Sequence, residues 1–533
     1  MGFQNMGFQR TVINTISTTL SNIHIPSISS GVSSISTIIP PWDNIYPTLI
    51  CLLVFAIIFG FVYIKLKHPF WNVQPVFHTY DFWRYWYSKP FVIQRRVKPL
   101  TTKYSDFAQI QTFDYTDLTD VQKKSWIDLL QSHYIKEDRI FMAWTPEYLD
   151  TIFGGYSNAC FVSFFKEKQF SLVKDSSTKD SSTKDSSTLA KDSATNCSTN
   201  SDNHFTSPAS LTQSASLTQS ASLTQSASLI PVSIIYNQVP MGCIASRPYI
   251  LYIYVGTNTY EVDAGYFKEV AYFLDFICVH RELAGKNISR NLIQTHEYNQ
   301  RTGQNMSSGS PPTLISFFKK EGELCSGIVP VLTYTTFMFQ LRKVRISRMP
   351  PHITITRIFK ENAQLLQDFF DNLPKTREFG IIAVPAISAI IGQIHAQKMF
   401  VFVLKYKAES LGYYFFKDPA TNFEIEIPES DNPKKPNADS VKEYKTLQFC
   451  ASLSNIRQPN STTFYRGFLH SIYEIVRLEP QYKVLVWDNI AHNTQLFQRW
   501  TERTPVWISN PTAYYLYNLV SPKRFRGELA FII

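Results

Sequence analysis

Residues 272–301, YFLDFICVHRELAGKNISRNLIQTHEYNQR, carry the most suggestive chemistry in this chain. They open with an apolar run interrupted only by Asp275, too short for a helix buried all round and suited to a buried strand. A short polar, basic loop follows, Arg281-Glu-Leu-Ala-Gly-Lys-Asn287. Ile288, Leu292 and Ile293 then recur at helical spacing, with Asn287 or Ser289 placed to cap the helix start. Strand, glycine-containing basic loop and helix N-terminus together suit a phosphate, because free N–H groups and the helix dipole both favour negative charge there. On spacing alone, a single glycine in a loop is more often a turn.

The surrounding chain has ample apolar material to position such a loop. It has 533 residues, 44% hydrophobic and 15% aromatic, enough for two to four domains. The net charge of +10 suits an anionic membrane face or a phosphate-rich ligand. No zinc-ligand spacing or RNA-binding aromatic signature points to nucleic acid. None of the 11 histidines forms a ligand-spaced cluster with cysteine, so no metal is expected. The seven cysteines are scattered, which suits reduced thiols in a cytosolic compartment.

Residues 1–44 are rich in Ser, Thr and Ile and read as a disordered tail; Gly2 invites lipidation, but Met6 stands where Ser or Thr is required. Residues 46–64 lack any charge and are long enough to cross a bilayer, so 45–66 is expected to be a transmembrane helix. Lys65, Lys67, Arg84, Lys89, Arg95, Arg96 and Lys98 follow it, placing the bulk of the chain on the cytoplasmic side of a single-pass protein. Residues 171–228 repeat KDSST and SASLTQ and read as a disordered insertion extending a surface hairpin. Around residues 118–134, Thr119 or Asp120 caps a helix whose Val121, Ile127, Leu130 and Tyr134 face a core. Farther on, residues 381–394 read as a core helix, 399–404 and 411–416 as a hairpin, 464–478 as a helix and 484–488 as a strand.

Phe276-Ile-Cys-Val-His280 with Arg-Glu-Leu283 resembles the Phe-Leu-Cys-Val-His signature strand of eukaryotic N-myristoyltransferases. His68-Pro-Phe-Trp-Asn-Val-Gln-Pro-Val76 resembles the family's acyl-CoA-contacting segment, and Tyr514-Tyr-Leu-Tyr-Asn518 matches its Tyr-Tyr-Leu-Tyr-Asn strand. The terminal Leu529-Ala-Phe-Ile-Ile533 resembles its buried end. The resemblance spans residues 69–533 and implies an α+β fold of two tandem GNAT-like halves, each a mixed sheet flanked by helices. These would cover 67–345, which binds acyl-CoA, and 346–533, which binds peptide.

The resemblance also implies a reaction: transfer of a myristoyl group from myristoyl-CoA, a co-substrate rather than a bound cofactor, to the N-terminal glycine amine of proteins. The backbone amides of Phe276 and Ile277 would polarise the thioester carbonyl, and the terminal carboxylate of Ile533 would accept the amine proton. Pro69, Phe70, Trp71, Cys278, Val279, Gly285, Asn287, Ile288 and Ser289 would hold the acyl-CoA, with Lys286 or Arg290 replacing the family's arginine at Asn287. Tyr334 and Thr335 would lie near the substrate amine, and Glu137 and Asp138 near a basic substrate side chain. Asp275, where the family has asparagine, is suited to hold the ammonium or act as an accessory base, and equally to be a satisfied polar residue at a strand end. The family's Arg-Tyr-Trp-His-Arg segment has no clear counterpart. A monomer is expected. Another GNAT-type amine acetyltransferase, or a non-catalytic binder of acyl-CoA or lipidated peptide, are the competing expectations.

Overall fold

The computed structural model describes residues 42–81, 89–135, 140–157, 159–172, 232–236, 239–255, 265–303, 313–342, 344–425, 442–454, 461–522 and 524–532. The chain divides into two compact units, Met1–Asn72 and Val73–Ile533. The first contains helix α1 (Trp42–Lys67), whose segment from Tyr46 is long and apolar enough to cross a membrane. Its Leu, Ile, Val and Phe side chains are exposed around much of the helix. Water does not sustain such a surface, whereas hydrocarbon does.

The second unit is α+β, as expected. In chain order it comprises β1 (Phe91–Val92), β2 (Ile110–Asp114), α2 (Asp120–His133), β3 (Ile140–Met142), α3 (Pro146–Phe153), β4 (Phe161–Phe165), β5 (Lys168–Leu172) and β6 (Val232–Tyr236). Next come β7 (Gly242–Val255), β8 (Gly265–Val279), α4 (Ile288–Gly303), β9 (Ile315–Glu321), β10 (Leu332–Gln340), β11 (Ile353–Arg357), α5 (Gln364–Asn372), β12 (Ile381–Pro385) and α6 (Ile387–His395). The chain continues through β13 (Met399–Tyr406), β14 (Glu409–Lys417), β15 (Thr421–Ile425), β16 (Lys442–Ser454), α7 (Ser461–Leu478), β17 (Tyr482–Asp488), α8 (Asn493–Thr501), β18 (Ile508–Tyr517), β19 (Leu519–Val520) and β20 (Leu529–Phe531).

One mixed sheet runs β11-β13-β14-β16-β17-β10-β18-β9-β8-β7-β12-β20, with β4 and then β2 branching from β7 and β15 and then β3 from β16. The same unit occurs twice: β8–α4–β9 and β16–α7–β17 each place a helix between two parallel, adjacent strands. The halves are nevertheless interleaved. β18 lies between β9 and β10, and β12 pairs with β7, so neither half closes its own sheet.

Local sequence explains the helices that frame the first repeat. Thr119 and Gln122 form a capping box on α2, and Thr145 caps α3 ahead of Pro146. Both helices press Trp126, Ile127, Leu130, Leu149, Ile152 and Phe153 onto β4, β7 and β8, where Phe164, Cys243, Ala245 and Phe276 complete the core. Truncating fully buried Trp126 would cost about 3–5 kcal/mol. Val121 does not join this core; it is 75% exposed, one position off the buried face. The expected helix over 381–394 is instead strand β12 followed by α6. Pro385 ends the strand, and the preceding run is buried on both faces, leaving no period to read. β5 and β6 pair antiparallel; Ser171 and Leu172, expected to open the disordered insertion, belong to β5, and residues 173–228 lie outside the described residues.

Candidate active site

The site begins where β8 and β9 part. Their parallel pairing runs from Ala271–Ile315 to Leu274–Phe318 and stops, although β8 continues to Val279 and β9 to Glu321. Asp275 and Lys319 stand at the start of the divergence. On its other edge β8 is bulged. Cys243 faces Cys278 and Ala245 faces Asp275, so Phe276 and Ile277 together oppose the single residue Ile244. Phe276 takes a φ of +56°, a conformation that costs a residue with a Cβ and turns its backbone out of the ladder. Its ring is buried among Trp126, Trp144 and Phe153, which fixes the bulge. The Ile277 side chain is 40% exposed between the buried Phe276 and Cys278.

The charges at the bulge are paired. Arg247, 1% exposed, donates from Nη2 to Asp275 Oδ2 at 3.0 Å. Its guanidinium lies 5.5–6.0 Å from the ring centres of Phe153, Tyr249, Phe273 and Phe276, and its Nε and Nη1 are buried without a hydrogen-bond partner. The second carboxylate oxygen of Asp275 accepts the Phe276 backbone N–H at 2.8 Å. This qualifies two expectations. The Asp275 charge is already neutralised, so it is a poor holder for a substrate ammonium, and one expected carbonyl-polarising amide is engaged by its neighbour.

After β8 the chain makes a single turn, Arg281–Leu283, started by His280, whose Nδ1 accepts from the Glu282 N–H at 3.4 Å. His280 thus serves the turn. Gly285 follows with φ +84° and Asn287 with φ +61°. Gly285, Lys286, Asn287 and Ser289 are exposed, while Leu283, Ile288 and Leu292 are buried under the loop. Arg290 reaches back to Asn287 Oδ1 at 2.7 Å, and Arg281 to the Ile135 carbonyl at 3.0 Å. The α4 helix is itself held by a buried polar face: Arg301 pairs with Glu297 at 2.7 Å and Ser316 donates to Glu297 at 2.9 Å. Nearby, His296 hydrogen-bonds Ser163 through Nδ1 at 2.8 Å, and burial pushes its imidazole down to about 3.

Across the split lies a carboxylate that sequence reasoning treated only as a strand end. Asp488 Oδ1 accepts from Lys319 at 3.2 Å, Tyr334 at 3.2 Å and Thr336 at 3.0 Å, and Oδ2 from Gln448 at 2.8 Å. Lys319 also meets Glu321 at 2.6 Å; burial disfavours its charge, but Asp488 and Glu321 raise its pKa well above the ordinary value. Lys417, on β14, is pushed down to about 8 by burial and by Arg247. Cys278 lies opposite Cys243, whose Sγ donates to the Phe276 carbonyl at 3.2 Å, and burial pushes the Cys243 thiol up.

The structure thus brings Asp275, Phe276, Ile277, Cys278 and Val279 together with the loop Gly285–Ser289. The strand returning beside β8 is β9, and Tyr334 and Thr335 sit on β10, beyond β18; Tyr334 is bonded to Asp488. Pro69, Phe70 and Trp71 belong to the first unit, where Phe70 and Trp71 meet edge to face at 4.9 Å. Glu137, Asp138 and Ile533 lie outside the described residues. The chain just before Ile533 is buried: Ile532 donates to the Ala383 carbonyl, and Phe531 stacks on Tyr514 at 4.3 Å. Asn518 of the Tyr-Tyr-Leu-Tyr-Asn match is structural. Its side chain bonds both the N–H and carbonyl of Gln94 and the Leu314 carbonyl, and its own N–H meets the Pro75 carbonyl. No group of three or more metal-ligating side chains occurs among the described residues.

A parallel pair that splits beside a bulge, occurring in an interleaved double repeat, defines the fold class as a double GNAT-like α+β sheet. More particularly, the fold is that of N-myristoyltransferase. The chain superposes on the Saccharomyces cerevisiae N-myristoyltransferase structure with bound myristoyl-CoA at a TM-score of 0.54 and 12% identity, over 87% of this chain and 99% of that one. A second myristoyl-CoA complex of the yeast enzyme gives 0.54 and 11%, over 87% and 94%, and a complex that also holds inhibitors gives 0.54 and 12%, over 87% and 93%. No family model matches the chain, and no curated protein matches its sequence.

Proposed function

We propose that the chain is an acyl-CoA acyltransferase that moves a long-chain, myristoyl-like group onto an amine, with an N-terminal glycine as the acceptor. The observation that carries this is the split between β8 and β9 beside the bulge at Phe276–Ile277, a gap for a thioester next to turned-out backbone. The yeast proteins sharing the fold were solved with myristoyl-CoA bound, which supports the long acyl chain.

The acceptor nitrogen attacks the thioester carbonyl, the C–N bond forms, and the C–S bond breaks to release CoA thiolate. Amides at the bulge stabilise the oxyanion, worth about 3–4 kcal/mol for one such donor. That of Phe276 becomes available when Asp275 swings toward Arg247. Gly285–Ser289 and the α4 start hold the CoA phosphates, aided by Lys286. The Ile533 carboxylate takes the amine proton. The α1 helix spans a membrane, and the second unit acts on the cytoplasmic side as a monomer.

A second reading, an acyl-CoA binder without turnover, draws on the Asp275 carboxylate already occupying the Phe276 amide. Radiolabelled myristoyl-CoA and acetyl-CoA, each supplied with a glycine-starting peptide, separate the readings. Transfer from the long chain alone supports the proposal. Transfer from acetyl-CoA alone assigns a short-chain acetyltransferase, and binding without transfer assigns the binder. Residues appended after Ile533 should stop transfer while sparing CoA binding; continued transfer would remove the terminal carboxylate from the mechanism.

A further inference from the structure

Between Asp81 and Asp106 the chain carries Arg84, Lys89, Arg95, Arg96, Lys98 and Lys103 and no acidic residue. The structure gives part of this run a shape. Residues 92–100 line an open cleft of about 630 Å³ whose charged walls are Arg95, Arg96 and Lys98. All three are exposed, and no carboxylate lines the cleft. Beside them Leu100 is 60% exposed, an apolar side chain at the rim of a cationic surface.

The cleft is not a loose loop. Phe91 and Val92 pair with Val520 and Leu519, the Ile93 N–H meets the Asn518 carbonyl at 3.2 Å, and both polar backbone groups of Gln94 bond the buried Asn518 side chain. A backbone fastened at four consecutive residues presents the three cations that follow from a fixed base. Structural repair alone does not call for cations here, since none of the three is used in an ion pair within the described residues.

We propose that this cleft is a docking site for the anionic phospholipid headgroups of the membrane that α1 enters. The apolar helix ends at Lys65 and Lys67 and the basic run begins at Arg84, so a membrane entered by α1 tethers an anionic headgroup layer to the same chain. Phosphate and carboxylate oxygens of the lipid pair with Arg95, Arg96 and Lys98, and Leu100 enters the interface. Docking is electrostatic, so it weakens with salt. The inference rests on α1 being a membrane span, a premise the experiment tests separately.

The experiment takes the full chain in lipid discs of phosphatidylcholine, or of phosphatidylcholine with phosphatidylserine, and reads amide hydrogen exchange over residues 93–100. Retention in both discs tests the span. Docking predicts protection in the anionic discs alone, removed by high salt. R95Q/R96Q/K98Q should lower the docking constant about fivefold per charge, about 100-fold together, while K407Q, exposed on a distant turn, leaves it unchanged. The site assignment is overturned if the triple variant docks like the parent, or if exchange is the same in both discs. Protection in neutral discs by inorganic phosphate or free coenzyme A would also overturn it, assigning the cleft to a soluble phosphate.

Discussion

The Arg247–Asp275 pair makes a prediction that tests the geometry at the bulge directly. Asp275→Ala leaves a guanidinium at 1% exposure, ringed by four aromatic side chains, with no anion; removing one partner of such a buried pair costs about 3–5 kcal/mol. Arg247→Met leaves the carboxylate instead. Because the Asp275 side chain is 28% exposed at the split, water relieves part of that loss, and about 2 kcal/mol is expected. The double variant removes both charges, fills the ring-lined space with an apolar chain of similar length, and should fall within about 1 kcal/mol of the parent. The coupling energy is therefore about 4–7 kcal/mol, above the usual range for side chains in contact. Urea unfolding of the four proteins in detergent measures it. A coupling below about 0.5 kcal/mol, the scatter of independent sites, would refute the pairing. The same variants report on chemistry: Asp275→Asn still accepts the Phe276 N–H, whereas the double variant frees it, so acyl transfer should be faster in the double variant.

Three further predictions follow from the loop and its supports. Glu297→Ala strips Arg301 and Ser316 of their buried acceptor and should cost about 3–5 kcal/mol in urea unfolding. His296 is neutral when folded, its pKa pushed from 6.5 to about 3 by burial. The unfolded chain therefore binds a proton that the native state refuses, and this group's stability is complete above pH 6.5 and lost as pH falls toward 3, by about 1.4 kcal/mol per unit. Relative to His296→Gln, the parent should lose stability with that slope between pH 6 and 4; parallel curves would show that the imidazole titrates normally. Gly285→Ala meets open space, and at φ +84° it is strained by about 1–2 kcal/mol; the exposed loop escapes that strain by relaxing when empty and must recover the conformation to bind, so myristoyl-CoA affinity by calorimetry should drop about tenfold while urea unfolding shifts by less than the strain.

Much of the frame was legible because it rests on local rules. Thr119 announces the helix that presses on β8, the apolar runs 399–404 and 411–416 give their hairpin, and the apolar run through Phe276 gives the central strand. What escaped depends on which strands are neighbours. The run 381–385 is buried on both faces and has no period. The sheet neighbours of Tyr334 could not be read, because strand order, with β18 inserted between β9 and β10, is a property of the folded whole. The bulge itself exists only as a mismatch between two strands, and one strand alone cannot display it.

Arg247 is the instructive omission, because a signal for it was present. It is the one charged residue in the run from Gly242 to Val255, in a stretch otherwise fit for burial, and Asp275 interrupts the next apolar strand in the same way. Burying either charge alone is prohibitive, so two opposite charges in successive apolar strands demand each other. Pairing them predicts an antiparallel register near residues 247 and 275, and the observed partners, Ala245 for Asp275 and Phe273 for Arg247, place the two charges diagonally on one face. The constraint reaches further than the pair. With β7 bound to β8 in this register, the only slack between Asp275 and Cys278 is the extra residue at Phe276–Ile277. The charge pair that closes the strands above the bulge therefore also fixes where the backbone is irregular, at the position the proposed acyl transfer uses.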